Sequence, residues 1–76
     1  MELKNFIENF AAQFDETEAN VFQANTVFKE LREWSSLMAL SILAMVDEEY
    51  DVALKGDDIR KSQTIEDLYE VVKSKK

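Results

Sequence analysis

Cysteine and histidine are both absent from this 76-residue chain. Without cysteine there is no disulfide and no thiolate metal site. Without histidine the commonest general base and the commonest zinc ligand are missing. A hydrolytic triad or a zinc enzyme is therefore excluded on parts alone, and a chain this small rarely builds a substrate cleft around paired carboxylates. Proline is also absent and glycine occurs once, so little interrupts a helix. Positive charge is scarce: nine basic residues face sixteen acidic ones, for a net charge of −7. Phosphate backbones and anionic membranes repel such a chain, which argues against nucleic-acid or membrane partners. The partners it steers toward itself carry positive patches. No charged n-region and apolar h-region open the chain, and no apolar run is long enough to cross a bilayer. These absences lead to the expectation of a cytoplasmic, monomeric interaction protein.

What is present suits a compact helical domain. Hydrophobic residues make up 46% of the chain, and its length is near the lower limit for a single self-sufficient core. Residues 1–76 are read as one domain, with neither internal repeats nor low-complexity segments. Leu3, Phe6, Ile7, Phe10 and Phe14 fall on one stripe and predict a helix from about Glu2 to Phe14. From Asp15 to Ser35 the periodicity lapses, and so long a connection in a small domain is usually functional or holds a turn of its own. Val21 and Phe22 are expected to pin this loop to the core. Thr26 is expected to cap a short turn anchored by Phe28 and Leu31.

The central stretch runs from Trp34 to Tyr50 and carries no charge until Asp47, Glu48 and Glu49 arrive together. Leu37, Leu40, Leu43 and Val46, with Ile42 and Tyr50 alongside, read as its core-facing side. Asp51 to Lys55 reads as an extended link ended by Gly56. Asp57 to Lys61 suits one short helical turn, acids first and bases last, with Ile59 as its anchor. Thr64-Ile65-Glu66-Asp67 resembles a capping box, and Ile65, Leu68, Tyr69, Val71 and Val72 form the apolar face of a final helix. Lys73, Lys75 and Lys76 complement its C-terminal end. The expected fold is all-α: a small four-helix bundle with a short third helix and a long first loop.

Ser35 and Ser36 stand where the central helix should begin. One of them is expected to cap it, a contribution of ~1 kcal/mol. A helix N-terminus also welcomes an anion, so a serine there could carry a phosphate or phosphodiester at low electrostatic cost. Phe28 to Leu54, and the ordered set Ser36-Leu37, Glu48-Glu49-Tyr50 and Thr64-Ile65-Glu66-Asp67, resembles the acyl carrier protein family over essentially the whole chain. No single tripeptide is specific; the order, the spacing, the size and the acidity together carry the resemblance.

The resemblance implies that Ser36 receives a 4′-phosphopantetheine arm from coenzyme A through a phosphopantetheinyl transferase. The thiol at the end of that arm bears acyl groups as thioesters during fatty acid or polyketide biosynthesis. It also implies docking of acyl-processing enzymes on the central helix, by basic or apolar patches against Ser35, Leu37, Met38, Ser41, Ala44, Asp47 and Glu48. A shelter for the acyl chain is expected among Phe28, Leu40, Leu43, Val46 and Ile59. Met38 and Met45 are candidate adaptable contacts, with gap-filling in the core as the alternative for both. Two departures from the family pattern stand out. Ser35 occupies the place of the usual aspartate, which implies slower modification or a dedicated transferase. Met38, Ser41 and Ala44 replace acids on the recognition face, which implies partners that grip partly through apolar contact. The alternative is a carrier-like helical interaction module that is never modified. An acid–base enzyme using Glu48 or Glu49 ranks last, because successive carboxylates at an exposed helix end are usually a solvated face.

Overall fold

Leu3, Phe6, Ile7 and Phe10 share one face because they recur at helical spacing, and they fold as α1, Leu3–Ala11. The computed structural model describes residues 2–76. Three further helices follow: α2, Ser36–Tyr50, α3, Gly56–Lys61, and α4, Ile65–Lys75. Two single 3₁₀ turns, Ala19–Val21 and Phe28–Glu30, punctuate the long first loop. The fold is all-α, with no strand among the described residues beyond one isolated bridge between Val27 and Thr64. α1 packs against α2 and α4, and α3 against α4. No helix is long and apolar enough to cross a membrane among the described residues.

α1 ends short of the expected Phe14. Gln13 and Phe14 donate their N–H groups to Phe10 and Ala11, three residues back, so the chain tightens as it leaves the helix. Phe14 is buried nonetheless. In the loop, Phe22 is buried as expected but Val21 is exposed. Within a segment that lacks periodicity, adjacent apolar residues point different ways and composition cannot say which one is inside. Thr26 does not cap the turn at Phe28–Glu30, whose N-cap is Val27. Its hydroxyl instead accepts from the Gln23 N–H and donates to the Val21 carbonyl, both at 2.8 Å. The carbonyls of Thr26 and Ala24 then accept from the N–H groups of Ile65 and Glu66, at 3.1 and 2.9 Å. The first loop thereby satisfies donors that the start of α4 leaves without intrahelical partners. Thr64 and Asp67 complete the expected capping box.

The five phenylalanines, two tyrosines and single tryptophan form one connected set of ring contacts. Phe10 meets Phe6, Phe14, Phe22 and Phe28, while Phe6 meets Tyr50 of α2 and Tyr69 of α4. Phe28 ends the chain of contacts on Trp34, edge to face at 5.0 Å. Tyr50 keeps a polar tip at the core margin: its hydroxyl donates to Asn5 Oδ1 and accepts from Asn9 Nδ2, both at 2.9 Å.

α2 faces the core with a different side from the one its leucines suggest. Ile42, Met45, Val46 and Tyr50 are buried, and Met38, Ala39 and Leu43 are partly buried against them. Leu37 and Leu40 are 74% and 61% exposed. The cause is geometric. Residues that recur every third position fall about 60° short of a full turn at each step. The series Leu37, Leu40, Leu43, Val46 therefore winds from solvent into the core instead of marking one stripe. Met38 lies on the core side for the same reason, and Met45 fills the core. The helix ends at Asp51, which takes the left-handed conformation at φ 55° that a short polar side chain tolerates. Lys76 donates its Nζ to the Tyr50 carbonyl at 3.0 Å, and Lys75 pairs with Asp58 at 3.5 Å, so the C-terminal lysines tie α4 to α2 and α3.

Phe6→Ala removes a fully buried ring and is expected to cost about 3–5 kcal/mol. A domain of this length holds only about 4–11 kcal/mol in all, so the variant should lose a large part of its stability. Leu37→Ala should change stability by less than about 0.5 kcal/mol. Urea denaturation of the two variants tests the orientation of α2, since a core-facing Leu37 would cost as much as other leucine truncations in a core.

Candidate functional site

α2 begins where the expected serines stand, and the two divide the work. Ser35 is the N-cap, extended at φ −158° and ψ 173°. Its hydroxyl accepts from the Met38 N–H at 3.2 Å, and its carbonyl accepts from the Ala39 N–H at 3.0 Å. Ser36 is the first helical residue, exposed, and its hydroxyl makes no hydrogen bond among the described residues. The N–H groups of Ser36 and Leu37 precede the helical ladder and are open to an acceptor from outside. Capping therefore consumes the Ser35 hydroxyl and leaves that of Ser36 uncommitted at the positive end of a helix.

Seen down its axis, α2 presents Ser36, Leu37, Leu40, Ala44, Asp47 and Glu48 to solvent, with Ser41 half-buried at the edge of that face. The structure thus brings together Leu37, Ser41, Ala44, Asp47 and Glu48 of the expected docking residues, with Ser35 just before them. It takes Met38 away, onto the core side. It adds Leu40, which helical arithmetic would have placed there had the leucines not all been read as core. The face is apolar near its start and acidic near its end.

Beside Ser36 a groove of about 410 Å³ opens between α2 and α3. Ser35, Ser36, Leu40 and Leu43 line it from α2 and its cap, and Ile59 and Arg60 from α3, with Lys29 and Trp34 of the preceding loop also on its wall. Of the residues expected to shelter a chain, Leu40, Leu43 and Ile59 lie on this groove. Phe28 and Val46 do not; both are fully buried in the core. The core packing of both side chains keeps them from the surface, so neither can line a shelter there. A larger groove of about 680 Å³ runs along Leu3, Ile7 and Ala11 of α1 against Phe14 and Phe22 of the loop. It contains no residue of α2 and neither serine. No cluster of acidic side chains among the described residues is arranged to hold a metal ion.

The entry to α2 is held by Glu33, a residue that sequence reading passed over. Its carboxylate accepts from the N–H groups of Asp15, Glu16 and Thr17 at 3.3, 2.9 and 2.6 Å, and from the Thr17 hydroxyl at 2.6 Å. Both ends of the long loop thus meet one residue before Trp34. The Thr17 hydroxyl, aided by those three N–H groups and opposed by partial desolvation, holds the Glu33 carboxyl below its ordinary value of 4.5. Asp67 is lowered too, by the N–H groups of Thr64 and Gln63, and so is Asp58, by the Lys55 N–H and Lys75. Only an Asp or Glu flanked by a distant Asp-Glu-Thr segment would have signalled the Glu33 latch, and nothing local marks it.

A carboxyl lowered by folding adds stability above its unfolded pKa and loses it as pH falls through the folded value. Glu33→Gln should therefore lower the melting temperature at neutral pH. The gap from the parent should close as pH drops below the ordinary glutamate value of 4.5. A gap that stays constant down to strongly acidic pH would show that the Glu33 charge does not hold the loop. Ser35→Ala should cost ~1 kcal/mol as a lost cap, and Ser36→Ala less than about 0.5 kcal/mol; urea titration separates them. In comparisons with known proteins, no family model, no curated protein and no solved structure matches this chain.

Proposed function

We propose that the chain is a carrier of the acyl carrier protein type, acting in the cytoplasm and not itself an enzyme. Ser36 is its attachment point for 4′-phosphopantetheine. The observation that carries this reading is the position of Ser36: exposed, with an uncommitted hydroxyl, at the first turn of the central helix and on the wall of a groove. The residues present fit the group. A phosphodiester on Ser36 would lie against the open N–H groups and the positive end of α2. When bound, the arm supplies a terminal thiol that carries acyl groups as thioesters, chemistry that a chain without cysteine lacks. Ser35 fixes the helix start, so the backbone that presents the Ser36 hydroxyl to the transferase is held in place. Leu40, Leu43 and Ile59 offer an apolar wall that would keep part of an acyl chain from water.

The outward face of α2 is the proposed docking surface. Leu37, Leu40 and Ala44 give an apolar patch, and Asp47 and Glu48 supply negative charge for a basic partner. Three carboxylates at a helix C-terminus oppose the dipole and cost stability, so their placement is better explained by a partner than by the fold. The same monomeric body would meet a phosphopantetheinyl transferase and acyl-processing enzymes in turn. A second reading, a carrier-like interaction module that is never modified, is favoured by one observation: the residue before Ser36 is a capping serine and offers the transferase no carboxylate.

Intact-mass spectrometry after incubation with coenzyme A and a broad-specificity transferase separates the two. The expected result is a gain of one phosphopantetheine that disappears in Ser36→Ala. No gain with several transferases, or a gain that survives Ser36→Ala, would overturn the carrier assignment in favour of the interaction module or of another attachment point.

A further inference from the structure

We infer that the groove beside Ser36 selects an apolar chain that bears a carboxylate. The inference deepens the carrier reading by naming the cargo class of the same site, and it rests on that reading for its biological meaning. Its walls are apolar at Trp34, Leu40, Leu43 and Ile59, and its charged lining consists of Lys29 and Arg60. No carboxylate lines it, although acids outnumber bases sixteen to nine in the chain. A surface this acidic that sets two cations and no anion along an apolar groove is complementary to an amphipathic anion. At about 410 Å³ the groove falls within the size range of small-ligand clefts, about 300–1,000 Å³.

The two cations are placed by the fold. Lys29 donates its Nζ to the Arg60 carbonyl at 2.8 Å, which ties the Phe28–Glu30 turn to α3 and holds the ammonium beside Arg60. Two of its three N–H donors stay available for a ligand. Arg60 is paired with Asp57 on its own helix, but both side chains are mostly exposed. Exposed pairs of this kind are weak, so a bound anion can take the place of Asp57. Phosphate alone would leave the apolar walls unused, and a neutral chain would leave the cations unused. A membrane is a poor occupant, because two cations do not offset a net charge of −7 against an anionic surface.

Trp34 is the only tryptophan in the chain and lines the groove, so its fluorescence reports occupancy directly. The unmodified full chain and Ser36→Ala are titrated with octanoate, with methyl octyl phosphate, a monoanionic diester like the one proposed at Ser36, and with the neutral octanamide. Both anions should change Trp34 emission saturably in both proteins, with octanamide about fivefold weaker, the size of one exposed charge contact. Lys29→Gln/Arg60→Gln, checked for folding by circular dichroism, should bind all three ligands alike. Arg60→Gln alone keeps the Lys29 link to α3 and should lose part of the preference. Tighter binding of octanoate than of the diester assigns the cations to a carboxylate on the cargo, and the reverse order overturns the inference by assigning them to the phosphodiester at Ser36. Equal binding of octanamide and octanoate, a preference that survives the double substitution, or no Trp34 response to any ligand would each overturn the inference. Because these titrations need no attached arm, failure of Ser36 to load leaves them interpretable, and their failure leaves loading untouched.

Discussion

Phe10 sits at the junction on which the rest of this molecule depends. It is fully buried and touches Phe6 on its own helix, Phe14 where the helix ends, and Phe22 and Phe28 of the long loop. No disulfide braces the chain and its core is small, so burial of these rings and of the aliphatic side chains packed with them has to supply the stability. Aromatic pairs at these separations add about 0.5–1.5 kcal/mol each beyond the area they bury. The loop has almost no regular structure of its own and stays in place because three of its residues are rings in this set. The last ring contact joins Phe28 to Trp34, and Trp34 is also part of the groove wall. The core and the candidate site are thus two ends of one packed array.

Polar side chains finish what the rings begin. Glu33 gathers three backbone N–H groups and a hydroxyl, Thr26 bridges the loop to itself, and loop carbonyls serve the start of α4. Each contact closes a long loop without adding an element, and each satisfies donors that would otherwise stay open. Their joint effect falls on residues 33–36. Glu33 is latched, Trp34 is packed and Ser35 is capping, so Ser36 is the first residue in this run whose side chain makes no hydrogen bond or core contact among the described residues. A hydroxyl presented from so constrained a segment would lose little entropy on engagement by the proposed partner.

α2 carries two surfaces on an almost continuous apolar sequence. The side made by Ile42, Met45, Val46 and Tyr50 is core, and the side from Leu37 through Ala44 to Glu48 faces water. Exposed leucines on a central helix cost solubility and return no folding energy. Their presence beside an uncommitted serine supports the proposed docking role. The acids at the far end of the same face oppose the helix dipole, while Lys76 on the Tyr50 carbonyl supplies the positive charge that end prefers.

Much of this was legible before any coordinates. The Phe6 and Phe10 stripe, the cap at Ser35 or Ser36, the short turn at Asp57–Lys61 and the Thr64–Asp67 box are all local patterns, in which the residues that interact are at most a few positions apart. The all-α class followed from the same patterns together with the lack of proline and the single glycine. The orientation of α2 was not legible, because a helix apolar on nearly every side has no periodic contrast to choose a face, and leucine weighs as much as isoleucine in that count. Packing against Phe6 of α1 settled it, by taking Tyr50 and the residues a turn or two before it. The same holds for Glu33 with Thr17, for Thr26 with Ile65 and for Lys29 with Arg60. Each pair is distant in the chain and is joined only when the aromatic core folds the loop back, so no window of neighbouring residues contains the partner that gives the side chain its role.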